Sequence, residues 1–249
     1  MPAATFRFYE ELNDFLPVKD RKQDITIDFE QRSSVKDMIE SLGVPHTEID
    51  LILANQQPVD FSYIVLDRDR ISVYPVFESF DISPVNRLRP QPLRRTRFVL
   101  DTHLGKLAKY LRTLGFDTLY DNQYNDPQLA ELASTGERRI LLTRDVGLLK
   151  HKRITHGYFV RETAPRDQIR EVLDRFDLIG LVKPFRLCVN CNGILDRLAK
   201  SKAKGRVPAA IYEQLDEFVI CRDCRQIYWK GSHYDRMLRF IDKLVNSDL

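Results

Sequence analysis

The sequence predicts an α/β protein with a metal-bound tail, and three observations carry that expectation. From Phe98 onward, apolar strand-like runs alternate with segments of helical periodicity, the pattern of a parallel sheet with crossover helices. Residues 5–76 read instead as short strands around one helix, an α+β pattern. Near the C-terminus stand two Cys-x-x-Cys pairs, Cys188 with Cys191 and Cys221 with Cys224, with 29 residues between them.

The elements follow in order. Thr5–Tyr9 and Ile25–Phe29 alternate apolar and polar residues, which predicts half-buried strands. Ser34 is placed to cap a helix whose apolar side is Val35, Met38, Ile39 and Leu42, and Gly43 followed by Pro45 stops it. Leu51–Ala54, Phe61–Val65 and Ile71–Tyr74 supply further strands, separated by turn residues Asn55-Gln56 and by Asp67-Arg68-Asp69-Arg70. Residues 82–97 combine Pro84, Pro90 and Pro92 with Arg87, Arg89, Arg94, Arg95 and Arg97. Proline removes backbone donors and favours extended chain, so this stretch is expected to be a basic linker between residues 1–81 and the rest.

Beyond it, Phe98-Val99-Leu100 reads as a strand, and Leu104, Leu107, Ala108, Leu111 and Leu114 as the face of a helix closed by Gly115. Phe116–Tyr120, Ile140–Thr143 and Tyr158–Val160 are the next strands. Asp126-Pro127 reads as a cap with proline at the first helical position, leading a helix that buries Leu129, Leu132 and Ala133. Pro165–Phe176 forms a further helix. The expected divisions are 98–180 for the sheet domain and 181–249 for the cysteine-bearing tail.

At 249 residues and 43% hydrophobic, the chain can bury a sizeable core, in one large domain or two to three small ones. No apolar run reaches the roughly 18 residues of a membrane span, and residues 1–11 lack the features of a signal peptide, so a cytoplasmic protein without membrane contact is expected. In a reducing compartment four cysteines in tight pairs point to a metal and not to disulfides. Charge is unevenly spread. Residues 1–85 carry 8 Lys and Arg against 16 Asp and Glu, and residues 86–249 carry 31 against 20. A basic part suits a polyanion partner, although two oppositely charged domains that attract each other account for the same asymmetry.

Asp101 follows one predicted strand directly and Asp145 stands two residues beyond another, which puts both at the same edge of a parallel sheet. Asp126, heading a helix, can reach that edge. Three such carboxylates repel one another unless Mg²⁺ or Mn²⁺ neutralises them, and those ions take oxygen ligands. Each acid also has a structural reading: Asp126 and Asp145 as helix caps, Asp101 as a strand-end acid that needs a partner. Lys106, Lys109, Arg112 and Arg144 are placed to contact phosphates, or, for the first three, to form a solvated helix face.

A two-residue gap lets both thiolates of a turn face one ion, so Cys188, Cys191, Cys221 and Cys224 complete a tetrahedron around Zn²⁺ with no open position for catalysis. Gly193 suits the turn after the first pair. His233 is an additional candidate ligand that four cysteines make unnecessary. Lys200, Lys202, Lys204 and Arg206 form a basic loop. Tyr228-Trp229-Lys230 offers rings and a cation to unpaired bases, or packs the tail against the sheet domain.

Three stretches then match a known family. Leu100-Asp101-Thr102-His103-Leu104-Gly105-Lys106-Leu107-Ala108, the run Leu111-Arg112 with Leu114-Gly115-Phe116-Asp117, and Leu142-Thr143-Arg144-Asp145 resemble the PIN-like RNase domain named for the C-terminal region of the exonuclease Mut-seven. Cys188–His233 resembles its zinc-ribbon tail, and residues 5–77 resemble the ubiquitin-like β-grasp domain often found before it. The resemblance implies a PIN-like parallel sheet domain with zinc ribbon, preceded by a β-grasp domain. It implies metal-dependent RNase activity with Asp101, Asp126 and Asp145 as the acids; with RNA as partner, Lys106, Arg112, Thr143, Arg144 and Lys230 are the residues expected at the substrate. PIN nucleases usually present four acids, and Asp117 and Asp121 are the candidates for the fourth. The N-terminal segment lacks the Gly-Gly tail of sulfur carriers and reads as a docking or regulatory module, with a protein partner expected. Asp101-Thr102-His103 lacks the second acid of phosphoaspartyl phosphatases, and no Gly-x-Gly-x-x-Gly follows a strand. A ribonuclease and a non-catalytic RNA-binding adaptor therefore stand as the two functions to separate.

Overall fold

The computed structural model describes residues 1–75, 88, 96–135 and 139–246. The expected linker at 82–97, apart from Leu88, Thr96 and Arg97, lies outside them. In chain order the strands are β1 (Ala3–Phe8), β2 (Ile25–Asp28), β3 (Ile49–Ala54), β4 (Gln57–Val59), β5 (Arg70–Pro75), β6 (Phe98–Leu100), β7 (Thr118–Leu119), β8 (Ile140–Thr143), β9 (Gly157–Phe159), β10 (Leu195–Leu198), β11 (Phe218–Cys221) and β12 (Ile227–Trp229). The α-helices are α1 (Val35–Ser41), α2 (Gly105–Thr113), α3 (Asp126–Ser134), α4 (Val146–Leu149), α5 (Pro165–Arg175), α6 (Lys200–Ala203), α7 (Ala209–Gln214) and α8 (Ser232–Val245). The chain forms two compact units that interleave in sequence, one from residues 1–95 with 125–159, the other from 96–124 with 160–249.

In the first unit the strand order β2-β1-β5-β3-β4 is that of a β-grasp sheet, parallel between β1 and β5 and antiparallel at every other pair. Alternation in β1 puts Ala4, Phe6 and Phe8 on the inner face, where they pack with Leu12, Ile39, Ile49, Ile52, Ile71 and Val73. Each of these side chains larger than alanine contributes roughly 1.5–3 kcal/mol by leaving water. Ser34 caps α1 as expected, its Oγ accepting from the Asp37 N–H at 3.1 Å. Phe61–Val65 is not the expected strand. Its backbone bonds to the chain before α1, through Val35 N–H to Tyr63 O and Val65 N–H to Ser33 O, leaving only a single bridge between Ser34 and Ile64. The buried Asp69 carboxylate organises this turn by accepting from Asn55 Nδ2 at 2.7 Å, Tyr63 OH at 2.9 Å and Leu66 N–H at 2.7 Å.

The same unit holds the parallel pair β8–β9. All four residues of β8 are buried, as a strand covered on both faces requires. The β-grasp sheet is fastened to this segment by buried polar contacts. Glu48, 1% exposed, accepts from the Phe159 N–H at 2.5 Å, and Lys150 Nζ donates to Glu40 O at 2.7 Å. His46 bridges the two parts, with Nε2 2.7 Å from Ile154 O and Nδ1 2.6 Å from Glu40 Oε1. Both ring nitrogens are thus within hydrogen-bond distance of an oxygen. Phe15 adds an edge contact to Phe159 at 5.5 Å.

The second unit contains the parallel pair β6–β7, the packed helices α2 and α5, and the antiparallel ribbon β10-β11-β12. Leu107, Ala108, Leu111 and Leu114 are buried as the periodicity of α2 predicts. Gly115 follows the helix at φ +95°, where a Cβ would collide with the Lys183 carbonyl. The expected strand at Phe116–Tyr120 shortens to Thr118–Leu119. Ala203, Phe218, Ile220 and Ile227 form a small core within the ribbon.

Replacing Glu48 by Ala removes the acceptor of a buried N–H, so the variant is expected to lose about 1–3 kcal/mol. A lowered urea midpoint and faster exchange of the Phe159 amide would show it; an unchanged midpoint would mean that this contact does not hold the segment.

Candidate metal centre and candidate active site

The cysteines converge. Cys188 and Cys191 flank a turn tied by the Cys188 N–H to Gly193 O bond at 2.7 Å, and Cys221 and Cys224 flank the β11–β12 turn, tied by Cys221 N–H to Gln226 O at 2.9 Å. The sulfur of Cys188 is 3.5 Å from that of Cys224, that of Cys191 is 3.4 Å from that of Cys221, and all four lie within 4.8 Å of one another. Zn–S bonds of about 2.3 Å in a tetrahedron require S···S separations near 3.8 Å, so the donor set fits zinc. Among the described residues these four are the one group of three or more His, Cys, Asp or Glu side chains whose ligand atoms close on a point. A Cβ on Gly193 would stand 2.8 Å from Cys221 Sγ, which explains glycine at that position.

The thiols lie close enough to shift one another. Burial raises the Cys188 thiol, but bonds from Tyr228 OH and the backbone N–H groups of Cys191 and Asn190 outweigh it and bring it down to about 7. Burial pushes Cys191 up to about 12, with the neighbouring thiols of Cys221, Cys224 and Cys188 adding to the rise. Tyr228 OH sits 3.1 Å from Cys188 Sγ, so this ring supports a ligand. Nothing in the spacing of the sequence distinguishes that role from simple packing.

Arg112 corrects an expectation. It is 3% exposed and turned inward, where Nε donates to Thr118 O at 2.9 Å, Nη1 to Val189 O at 3.1 Å and Asn190 O at 2.8 Å, and Nη2 to Tyr120 O at 3.3 Å. A guanidinium committed to four carbonyls is not presented to phosphate; it fastens the first cysteine turn to α2 and β7. Burial lowers its pKa, opposed by the nearby Cys191 and Cys188 thiols. Asn192 completes the joint by donating to Asp117 Oδ1 at 2.7 Å and accepting from the Thr118 N–H at 2.9 Å. Asp117 also lies 3.5 Å from Arg97, which makes it a docking residue. Asp121 is exposed and accepts from the Gln123 N–H within its own turn.

The three expected acids belong to different units. Asp101, in the second, ends β6 with 8% exposure, and its Oδ1 accepts from Thr102 N–H at 2.5 Å and Thr102 Oγ1 at 3.2 Å. Tyr120 OH donates to Thr102 O at 2.9 Å and steadies that turn. Asp126 and Asp145, in the first unit, are both exposed. Asp145 caps α4, its Oδ1 accepting from Gly147 N–H at 2.7 Å and Leu148 N–H at 3.3 Å. Asp126 is not the expected cap. Asn125 holds that place, accepting from Gln128 N–H at 3.1 Å while Gln128 Oε1 accepts from the Asn125 N–H at 3.0 Å, which moves Pro127 to the second helical position.

Thr143 is fully buried, and its Oγ1 accepts from the Asp145 N–H at 2.9 Å; it shapes the loop instead of facing substrate as expected. Arg144 is exposed and lies over the Phe159 ring at 5.9 Å. Lys106 and Lys109 are exposed on α2, and Lys230 pairs with Glu217 at 2.5 Å.

A family model described as the Mut7-C RNAse domain matches residues 96–241, and one described as Mut7-C ubiquitin matches residues 1–81. No curated protein and no solved structure matches the chain significantly. The first match supports an RNA-related, nuclease-like function.

Substituting Arg112 by Met leaves four carbonyls without their donor and is expected to cost roughly 3 kcal/mol, read as a lower thermal midpoint. Cys191→Ser should release zinc and unfold the ribbon, as metal analysis and near-ultraviolet dichroism would report. Full zinc retention would contradict the assignment.

Proposed function

The chain belongs to the Mut7-C RNase family, and we propose that it is a metal-dependent ribonuclease that hydrolyses RNA phosphodiesters through Asp101, Asp126 and Asp145. The observation that carries this reading is Asp101. A carboxylate with 8% exposure closes a fully buried apolar strand, and its Oδ1 accepts from the Thr102 N–H and Oγ1 of its own turn. Asp145 likewise uses one oxygen, Oδ1, for its cap.

The three carboxylates offer the hard oxygen donors that suit Mg²⁺ or Mn²⁺, and such an ion, when bound, supplies an activated water and charge neutralisation at the phosphate. The residues of the chain do the rest. Tyr120 and Thr102 keep the Asp101 turn in place, Thr143 and the first turn of α4 orient Asp145, and Arg144, Lys106 and Lys230 attract the sugar–phosphate backbone. Zinc, with four thiolates, shapes the ribbon and takes no part in the chemistry. The ubiquitin-like domain serves as a docking module for a protein partner. Among the described residues no helix is long and apolar enough to cross a membrane.

A non-catalytic RNA-binding adaptor is the second reading, and one observation favours it. Asp117 is engaged with Asn192 and Arg97, and Asp121 with its own turn, so neither readily supplies a fourth acid.

Labelled single-stranded RNA incubated with the full-length protein and Mn²⁺ separates the two. Cleavage is expected, with Asp101→Asn reducing its rate at least about 100-fold while leaving RNA affinity intact. No cleavage by either protein would leave the adaptor, and equal cleavage by both would remove the support for a nuclease acting through Asp101.

A further inference from the structure

A cavity of about 580 Å³ opens in the second unit between α2, the ribbon sheet and α8. It falls within the roughly 300–1,000 Å³ of small-molecule sites and is several times larger than the packing voids left by core truncation. Its walls are flat and aromatic: Tyr110, Phe185, Tyr228, Trp229 and Tyr234 all line it. These rings are held from behind. Tyr110 packs on Phe240 at 5.1 Å between centroids, Phe185 on Tyr234 at 4.5 Å, and Tyr228 is anchored by its hydroxyl to Cys188 Sγ at 3.1 Å. Phe185 adopts φ +60°, a left-handed conformation unusual for a bulky residue, and its N–H donates to Thr113 O at 2.8 Å. Backbone of that kind tends to persist where a site needs it.

The rim is cationic on one side. Lys106 and Lys109 stand one turn apart on α2, exposed, and neither pairs with a carboxylate among the described residues. Lys230 also lines the cavity and pairs with Glu217 at 2.5 Å. Stacking surfaces inside and positive charge along one edge complement a strand whose base turns inward while its phosphates stay outside.

We propose that this cavity receives one unpaired base of a single-stranded RNA, with the flanking phosphates held by Lys106 and Lys109. The proposal rests on the RNA reading above and adds to it the form of the ligand: single-stranded, with at least one base unstacked from its neighbours. It requires no cleavage.

Trp229 is the sole tryptophan of the chain and lines the cavity, so its emission reports the site directly. The full-length, zinc-bound protein carrying Asp101→Asn is titrated, without added Mg²⁺ or Mn²⁺, with single-stranded RNA and with an abasic oligomer of equal length and charge. RNA is expected to quench Trp229, and the abasic strand to bind at least about tenfold more weakly with little quenching. The surface double variant Lys106→Ala, Lys109→Ala should weaken RNA binding about tenfold and flatten its log–log salt dependence by roughly 0.7 for each phosphate no longer neutralised.

Equal quenching by the abasic strand overturns the base site. Unchanged affinity and salt dependence in the double variant overturn the phosphate edge. Quenching by an acidic peptide that displaces RNA would assign the cavity to a protein ligand instead. The outcomes separate from those of the nuclease assay. Quenching without cleavage by wild type keeps this proposal and removes the ribonuclease, whereas cleavage with no quenching keeps the ribonuclease and removes this proposal.

Discussion

The guanidinium of Arg112 sits between the last turn of α2, the end of β7 and the first cysteine turn, and it donates to backbone carbonyls on both sides of that junction. A zinc ion with four thiolates carries a net charge of −2, so a buried cation beside it lowers the cost of keeping that centre out of water. The same group satisfies carbonyls that irregular backbone would otherwise leave unpaired. With Asn192 and Asp117 alongside, polar bonds fix the ribbon to the sheet strand. The ribbon's own core is small, and a metal held by the four cysteines would make up the difference.

The β-grasp part is used in a comparable way. Its sheet and helix close one apolar core, yet three of its polar residues, Glu40, His46 and Glu48, are spent on the segment that carries α4 and β9. Burying a carboxylate such as Glu48 is unfavourable unless its bonds are made, so the contact constrains geometry more than it adds stability. Asp145 begins α4 and is thereby connected to the N-terminal domain through a short helix and one strand. Sequence alone suggests a detachable module; the structure shows one built into the unit that presents two of the three candidate acids.

Much of this was legible because local chemistry decided it. Ser34 has a short polar side chain before an apolar helical run, Gly115 ends one, and Ile140–Thr143 is an unbroken apolar run that only a covered strand can bury. The cysteine pairs announced their geometry through spacing. What escaped depends on partners far along the chain. Arg112 stands next to the apolar ridge of α2 and looked like a surface cation, because the carbonyls that claim it lie 77 and 78 residues away. Phe61–Val65 alternates like a strand, but Asp69 pulls it into a turn. Asn125 and Asp126 are both good caps, and the reciprocal bond from Gln128 decides between them. Helix α8 follows the i, i+3, i+4, i+7 apolar spacing through Tyr234, Met237, Leu238 and Ile241 that was there to be read.

The bond between Glu48 and Phe159 spans 111 residues. On a ribosome adding about 5–20 residues per second, the partner of that buried carboxylate emerges roughly 4–17 s after β5 completes the β-grasp sheet. For that interval the newborn domain carries an exposed acid where the finished protein has a sealed one, so its first folded form is not its last.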